Sequence, residues 1–177
     1  MVLAADGTRV QVWDCNGTPA QLWFYDAQRR LHPYAAPTKC LDLDAGGTTN
    51  GNYLQIWECG TQGNQIFNTN VPNLNPQGLL GTAVQNNAIR SALNGLCTDV
   101  FSYNYNNGAP VVMFTCNGQN NQRWQLDARG ALRSTHNTNK CLDASANNAG
   151  EEVQHGAASA VWRLQQAAPH SENIVRF

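Results

Sequence analysis

A cysteine-centred block occurs three times in this chain, and it restricts the fold to one built from three related units. In each block a short apolar segment ends in a cysteine, and a Gln-x-aromatic triplet follows. In every block, the residue four places before the cysteine is followed by the aromatic residue of the triplet 12 positions further along the chain. A repeat of fixed period indicates a repeated supersecondary unit. The apolar segments are 10–15, 54–59 and 111–116, the Gln-x-aromatic triplets 21–23, 65–67 and 122–124, and the Cys-x-Asp triplets 40–42, 97–99 and 141–143.

The segments within each unit are predicted to be strands. They are short, Asn-Gly and Gly-Gly turns separate them, and no apolar period of 3.6 residues persists for ten residues. The pattern therefore predicts an all-β fold with three copies of a unit of about 44 residues. We expect the aromatic residues that close the blocks, Trp23, Phe67 and Trp124, to lie in the core.

The charge balance excludes several classes of binding protein. The 11 Lys and Arg residues nearly balance the 12 Asp and Glu residues, and only 13% of residues are charged. A nucleic-acid or membrane-steering surface needs an excess of one sign. No apolar run approaches the ~20 residues of a membrane span. We therefore expect no nucleic-acid partner and no membrane insertion. The 22 Asn and 14 Gln residues carry most of the polarity instead.

The cysteine spacing indicates disulfides. Cys40 and Cys59 are 19 residues apart, and so are Cys97 and Cys116. Disulfides persist in oxidising compartments, so we expect a secreted, extracellular protein. The four histidines are scattered, and no cysteine or histidine cluster has the spacing of a zinc site. The sequence therefore predicts neither a metal nor another cofactor.

Taken together, these motifs resemble the ricin B-chain-type β-trefoil lectins, also known as family 13 carbohydrate-binding modules. The resemblance rests on the Cys-x-Asp start, the Val-Gln-Val-Trp-Asp-Cys type of strand and the Gln-x-Trp close, and it covers nearly the whole chain. It implies a β-trefoil of three four-strand Gln-x-Trp repeats around a pseudo-threefold axis. Closure of such a barrel removes exposed sheet edges.

One insertion interrupts the repeat. Between Phe67 and Cys97 lie 29 residues, whereas 16 residues separate Trp124 from Cys141. The extra residues fall within 68–87, and we interpret them as a surface loop. The whole chain, 1–177, is predicted to form one domain. Its predicted parts are a first repeat at about 1–38 plus 140–149, a second at 39–95, a third at 96–139, and a tail at 150–177.

The two ends of the chain carry complementary defects. The first repeat lacks its Cys-x-Asp start, and the last such start, in 140–144, lacks a following Trp-x-Cys strand. We hypothesise that 140–144 completes the first repeat, that Cys141 bonds to Cys15, and that the fold closes as a circular permutant. In the rival arrangement a trefoil spans 39–165, residues 1–38 are surplus, and both cysteines are unpaired.

A sugar site needs a carboxylate that accepts hydroxyl protons, amides that donate and accept, and an aromatic plate for the C–H face. The resemblance implies this set in the second repeat. Asp42 accepts from adjacent hydroxyls, Gln55 contacts the carboxylate or the ligand, and Trp57 stacks on the sugar. Asn64 donates to a hydroxyl, and Gln65 supports Asn64 from behind.

The third repeat carries a similar set with one replacement. Asp99, Phe114, Asn121 and Gln122 stand at the matching positions, whereas Val112 stands where glutamine is usual. An aliphatic residue there is compatible with binding in the family, so we expect a weaker site.

The composite first repeat offers the least complete set. Asp143, Gln11, Trp13 and Gln21 match the motif, but Ala20 replaces the asparagine. The loss of that amide removes a hydrogen bond worth roughly 0.5–1.5 kcal/mol. This site also depends on the closure hypothesis.

The predicted function is non-catalytic binding of galactose-type or N-acetylgalactosamine-type glycans at up to three sites. One alternative is a module for xylan-type plant polysaccharide, fused or disulfide-linked to a glycosidase or toxin chain. Another is a protease-inhibitor-like trefoil that binds a protein. We do not expect an enzyme, because nothing gives the carboxylate pairs Asp42 with Asp44 or Glu151 with Glu152 a cleft or a raised pKa.

Overall fold

Short β-strands and one-turn 3₁₀ helices make up the described part of the chain, residues 5–74 and 86–144 of a computed structural model. The 3₁₀ turns are Pro19–Gln21, Asp44–Gly46, Gly63–Gln65, Phe101–Tyr103 and Asn120–Gln122. The strands are β1 Thr8–Arg9, β2 Gln11–Asp14, β3 Trp23–Tyr25, β4 Leu31–Pro33, β5 Lys39–Leu43, β6 Asn52–Glu58, β7 Phe67–Thr69, β8 Ile89–Ser91, β9 Cys97–Val100, β10 Ala109–Phe114, β11 Trp124–Leu126, β12 Leu132–Ser134 and β13 Lys140–Asp143.

Three central strands close into a ring. Strands β1 and β2 form one of them, interrupted only at Val10, whose N–H still donates to Leu54 O at 2.9 Å. This strand pairs with β6 through β1 and with β10 through β2, and β10 also pairs with β6. Each central strand further pairs with the Cys-x-Asp strand of its own repeat, namely β13, β5 or β9. No central strand is left with an open edge, as barrel closure requires.

Three hairpins cap the barrel. They pair β3 with β4, β7 with β8 and β11 with β12. Their first residues, Trp23, Phe67 and Trp124, are fully buried, as expected. Since β1 and β2 are parts of one strand, the described residues form twelve strands in three four-strand units. The predicted all-β β-trefoil is confirmed.

Strand alternation separates the core from the outer face. In β6, Leu54 and Ile56 point into the barrel and are fully buried. Tyr53, Gln55 and Trp57 therefore share the opposite face. The same alternation in β2 and β10 places the motif glutamine or valine and the motif aromatic residue outside the barrel.

One glycine per repeat takes a backbone conformation that other residues avoid. Gly7, Gly51 and Gly108 have φ values of +85°, +86° and +88°. Each glycine N–H donates to a carbonyl of the neighbouring repeat, and the accepting residues are Ile56, Met113 and Val12. A side chain is disfavoured at such a φ, which explains the glycine four residues before positions 11, 55 and 112.

Disulfides join the start strand to the central strand in every repeat. Cys40 bonds to Cys59 and Cys97 to Cys116. Cys15 bonds to Cys141, and β13 pairs antiparallel with β2 from Asp143 opposite Gln11 to Lys140 opposite Asp14. The predicted closing disulfide is confirmed, and the arrangement with two unpaired cysteines is wrong. In the chain-entropy model a loop of this size stabilises by about 5 kcal/mol.

The structure shifts one predicted boundary. Strand β7 ends at Thr69, so residues 68 and 69 belong to a hairpin strand rather than to the inserted loop predicted for 68–87. The middle of that loop and the predicted tail at 150–177 lie outside the described residues. The remaining repeat boundaries stay predictions.

Candidate functional site

The second repeat brings its five predicted site residues together around the Asp42 carboxylate. Asp42 on β5 lies directly opposite Gln55 on β6. Gln55 Nε2 donates to Asp42 Oδ1 at 3.0 Å, and Asn64 Nδ2 donates to Oδ2 at 2.8 Å. Gln65 Nε2 also donates to Oδ2 at 2.8 Å. The carboxylate is thus held in one orientation by three amide groups.

Gln65 lies behind the carboxylate and shapes the turn that carries Asn64. Its Nε2 also donates to Glu58 O at 3.0 Å, and its Oε1 accepts from Gly60 N–H at 2.7 Å. The side chain is buried, whereas Asn64 is half-buried. Gln65 therefore positions Asn64 and Asp42, and Asn64 is the amide at the edge of the site.

Trp57 supplies the aromatic surface. Its side chain is 44% exposed, although tryptophan usually buries most of its surface. It follows Gln55 by two residues on β6, so both side chains lie on the outer face of the strand. A Cβ added to Gly7 would lie 3.9 Å from the indole ring. The first repeat thus approaches the ring closely through a residue without a side chain.

Burial raises the pKa of the Asp42 carboxyl above its usual range, which corrects the expectation that nothing would raise a pKa in the pair of Asp42 and Asp44. Loss of hydration is the largest cause, and the hydrogen bonds from Gln55 and Gln65 oppose it. The charge of Asp44 raises the pKa further, and the Asn64 hydrogen bond lowers it. A poorly hydrated carboxylate of this kind gains from ligand hydroxyls that restore hydrogen bonds.

An ion pair from a neighbouring repeat borders this site. Arg9 on β1 lies opposite Gln55, and its Nη1 lies 3.2 Å from Asp44 Oδ2. The guanidinium also lies 3.9 Å from the centre of the Tyr53 ring. Sequence analysis missed Arg9, because it reaches the site through a pairing between the first and second repeats.

The third repeat reproduces the carboxylate and its amides. Asn121 Nδ2 donates to Asp99 Oδ1 at 2.9 Å, and Gln122 Nε2 donates to Oδ2 at 2.8 Å. Gln122 also donates to Thr115 O and accepts from Asn117 N–H, as Gln65 does with its own repeat. Burial again raises the pKa of the Asp99 carboxyl, against the hydrogen bonds from Gln122 and Asn121.

The surroundings of Asp99 are more apolar than those of Asp42. Val112 lies opposite Asp99 and is buried, so the carboxylate receives two side-chain amides rather than three. Phe114 is half-buried at the position of the aromatic plate. The Phe101 ring lies 6.4 Å from the Phe114 ring, centre to centre. Sequence analysis did not single out Phe101.

The composite first repeat also assembles around a carboxylate. Asp143 lies opposite Gln11, whose Nε2 donates to Asp143 Oδ1 at 3.4 Å. Trp13 follows on the same face and is half-buried. Gln21 is buried and donates to Asp14 O at 2.9 Å. The buried Ala20 offers no amide where the other repeats place asparagine, and the loop after 144 lies outside the described residues.

One group of potential metal ligands occurs in the described part of the chain. His32 lies with Cys40 and Cys59, their ligand atoms all within 4.8 Å of one another. The two sulfur atoms form a disulfide and are not available as thiolates. Among the described residues, no helix is long and apolar enough to cross a membrane.

The chain matches the family model of the ricin-type beta-trefoil lectin domain over residues 2–77 and 85–173. Beta-galactoside-specific lectin 4 from Viscum album is 27% identical over an alignment of 167 residues, and the match covers 77% of this chain and 31% of that protein. Nigrin b from Sambucus nigra is 35% identical over 95 residues, or 52% of this chain and 14% of that protein.

A third relative is the ribosome-inactivating protein PMRIPt from Polygonatum multiflorum, 33% identical over 63 residues, or 36% of this chain and 10% of that protein. The chain thus spans less than a third of the length of all three relatives. Among solved structures, the designed threefold symmetric protein ThreeFoil superposes with a TM-score of 0.57 at 22% identity, over 69% of this chain and 82% of that one.

The family model covers most of the chain, and the described residues form a threefold β-trefoil. The chain therefore belongs to the ricin-type beta-trefoil lectin domain family, whose members are non-catalytic carbohydrate-binding modules.

Proposed function

We propose that this chain binds galactose-type or N-acetylgalactosamine-type residues of neutral glycans through its second and third repeats. One observation carries the proposal. The buried Asp42 carboxylate is held by three amides and lies opposite Gln55, and Trp57, an exposed aromatic ring, stands two residues from Gln55 on the same face of the barrel. This arrangement offers both chemical features of a sugar: hydroxyls for the carboxylate and a C–H face for the ring.

The hydrogen-bonding capacity of the carboxylates supports this proposal. An ionised carboxylate can accept about four hydrogen bonds. Asp42 accepts three from side-chain amides, and Asp99 accepts two. At least one acceptor position therefore stays open at each carboxylate, and adjacent sugar hydroxyls can use it together with the nearby amides.

The partners of Asp42 and Asp44 argue against glycoside hydrolysis by that pair. A glycosidase needs one carboxylic acid that donates a proton and a second carboxylate free to act as base or nucleophile. Asp42 is held by amide donors, and Asp44 forms an ion pair with Arg9. Glu151 and Glu152 lie outside the described residues.

The relatives favour galactosides over xylan-type polysaccharide. The Viscum album relative is named a β-galactoside-specific lectin, and the Polygonatum multiflorum relative a ribosome-inactivating protein. We therefore also propose that this domain serves a catalytic toxin chain by attaching it to glycans. Three disulfides support secretion as part of the same proposal.

A site-resolved titration tests the proposal. Galactose, N-acetylgalactosamine and xylobiose are each added to labelled protein, and the NMR signals of the Trp57 indole and the Phe114 ring are followed. We expect saturable shifts at both sites with one or both galactose-type sugars. A single-sugar site should bind with Kd of about 1 mM, or roughly −4 kcal/mol.

Trp57→Ala is the most informative variant, because it removes the exposed ring and leaves the carboxylate network intact. Tyr53→Ala is its matched control, since Tyr53 is equally exposed on the same face of β6 and stands four residues away, about 13 Å. Binding at the second repeat should be lost in the first variant and kept in the second. Shifts with xylobiose alone would contradict the galactose assignment, and no shift with any sugar would contradict carbohydrate binding at these sites.

A further inference from the structure

The loop that follows Asp99 carries two aromatic residues where the second repeat has none. Phe101–Tyr103 and Asp44–Gly46 are equivalent 3₁₀ turns directly after the motif strand. Their middle residues share an unusual backbone conformation, with φ of +52° at Ala45 and +53° at Ser102. The turns therefore have similar backbones and different side chains.

Tyr103 stands at a position that favours glycine. Its φ is +56°, and the equivalent Gly46 has φ of +64°. A bulky residue in this left-handed region is strained. The Tyr103 side chain is 42% exposed, so burial in the core does not offset that strain. Strain at an exposed aromatic residue is typical of a residue kept for binding.

Phe101 continues the aromatic surface of the third site, and Tyr103 follows two residues later in the same turn. Phe101, 44% exposed, lies beside the Phe114 ring at 6.4 Å with the ring planes tilted by 49°. The Tyr103 ring meets His136 edge-on at 5.1 Å, and its hydroxyl donates to Gln119 Oε1 at 3.2 Å. These contacts hold Tyr103 in place and leave part of its ring open to solvent.

The segment that carries these two rings is almost free of charge. Between Asp99 and Asp127 the sequence has one residue among Asp, Glu, Lys and Arg, which is Arg123. Its Nη2 donates to Gly118 O at 2.7 Å. The exposed side chains next to Tyr103 are Ser102 and Asn104. An uncharged surface of rings, hydroxyl and amide groups fits a neutral saccharide better than an anionic one.

We propose that Phe101 and Tyr103 form a second stacking subsite, which binds the sugar residue next to the one held at Asp99. The inference rests on the proposed function and adds a ligand class to it: the third repeat recognises a neutral oligosaccharide chain, and the second repeat recognises a single terminal sugar. The second repeat has no such subsite, because Asp44 and Gly46 stand at the equivalent positions.

Chain-length dependence tests the inference. β-1,4-linked galacto-oligosaccharides of one to four residues are titrated into the wild-type protein, and the Phe114 and Trp57 signals report the two sites separately. At the third repeat we expect the disaccharide or trisaccharide to bind about three- to tenfold more tightly than galactose, the gain of one added stacking contact. At the second repeat the affinity should change less than twofold.

Tyr103→Gly is the decisive variant, since glycine relaxes the backbone and matches Gly46. The melting temperature should stay level or rise, so a loss of binding cannot come from unfolding. The chain-length gain at the third repeat should fall to less than twofold, and galactose itself should bind as before. Leu93→Ala is the control, because Leu93 is similarly exposed and lies beside the loop of the second repeat.

The possible failures are distinguishable. If galactose binds at the third repeat but longer chains bind no more tightly, the subsite is wrong and the proposed function stands. If the chain-length gain survives Tyr103→Gly, the subsite lies elsewhere and the inference is again wrong. If neither galactose nor its oligomers bind, the proposed function and the inference both fail.

Discussion

Asp42 and Asp99 occupy equivalent positions in the second and third repeats. The residues that hold each carboxylate from the inside, here called the inner set, differ much less between the two repeats than the residues that border each site, the outer set. The inner set consists of a buried carboxylate and an Asn-Gln pair, and the glutamine also ties the turn to the central strand. This set has a structural task as well as a chemical one, so both repeats retain it. The outer set does not tie this turn to the central strand, and it diverges. Its pairs are Gln55 and Val112, Trp57 and Phe114, Asp44 and Phe101, and Gly46 and Tyr103.

This difference shows where selectivity can change without loss of the fold. Replacement of an outer residue alters the surface that the site presents to a ligand and leaves intact the turn that carries Asn64 or Asn121. Replacement of an inner residue alters both the surface of the site and that turn. The following predictions use this distinction, and they begin with the largest effect.

Removal of either carboxylate should have the largest effect. Asp42→Ala and Asp99→Ala should each weaken sugar binding at their own repeat by about 100-fold or more, since the charge-assisted hydrogen bonding of the carboxylate to sugar hydroxyls is lost. Each should also lower the free energy of unfolding by about 2 kcal/mol, because buried amides lose an acceptor. Asp42→Ala should cost about 1 kcal/mol more, as it also strands Gln55. Titration and urea denaturation measure both effects, and equal stability losses would contradict the difference between the repeats.

Acidification should abolish binding before it unfolds the protein. The pKa values of Asp42 and Asp99 are raised by burial, so these groups take up protons at a pH above the usual aspartate range. The protonated form loses the negative charge and accepts from sugar hydroxyls more weakly, and binding declines. Protonation of a group with a raised folded-state pKa does not itself destabilise the fold.

The stability of the fold should respond to a different pair of carboxyls. The pKa values of Asp26 and Asp127 are lowered, because the hydrogen bonds from Arg30, His32 and Arg133 and from backbone N–H groups together outweigh burial. Their stabilising contribution is present above pH about 4 and is lost as pH falls through their folded-state values. Binding and circular dichroism followed together from pH 7 to 3 should therefore decline in that order. A coincident decline would contradict this prediction.

An exchange at the position opposite the carboxylate should have a moderate effect. Val112→Gln gives Asp99 a third amide, and Gln55→Val removes one from Asp42. We expect affinity for a single sugar to change by about three- to tenfold, upward at the third repeat and downward at the second. Site-resolved NMR titration measures both changes, and changes of the same sign at the two sites would contradict the assigned role of Gln55.

An exchange of the aromatic plates should have the smallest effect. Trp57→Phe reduces the stacking area and Phe114→Trp enlarges it, while both retain an aromatic face. We expect affinity to fall by about two- to threefold in the first variant and to rise by a similar factor in the second. A loss of more than tenfold in either variant would indicate that the indole N–H or the ring size is essential to the ligand contact.

The sequence alone was sufficient for the fold, for the placement of the inner set and for two pairs of the outer set, Gln55 with Val112 and Trp57 with Phe114. Alternation in β6 places Gln55 and Trp57 on one face, and the repeat spacing brings Asp42 opposite Gln55. The closing disulfide was also predictable, because an unpaired Cys15 and an unpaired Cys141 stood at complementary gaps in the repeat.

The rest of the outer part of the site was not predictable in this way. Arg9 reaches the second site through pairing of β1 with β6, and no local pattern marks a contact between separate repeats. Phe101 and Tyr103 depend on a turn with consecutive left-handed residues. Neither glycine nor asparagine occupies those positions of the third repeat, so the usual sequence signal for such a turn is missing.

The bond between Cys15 and Cys141 also determines how the domain responds to tension. The two cysteines are 126 positions apart, so the bond turns nearly all of the described chain into a covalent ring. A pull applied before residue 15 and after residue 141 runs through the sulfur–sulfur bond, and the strands inside the ring carry little load. Strands β1 and β2 lie before residue 15 and outside the ring, so they take up a pull on that side of the bond first. Chemical reduction would open the ring and pass the load on to the strands of the second and third repeats.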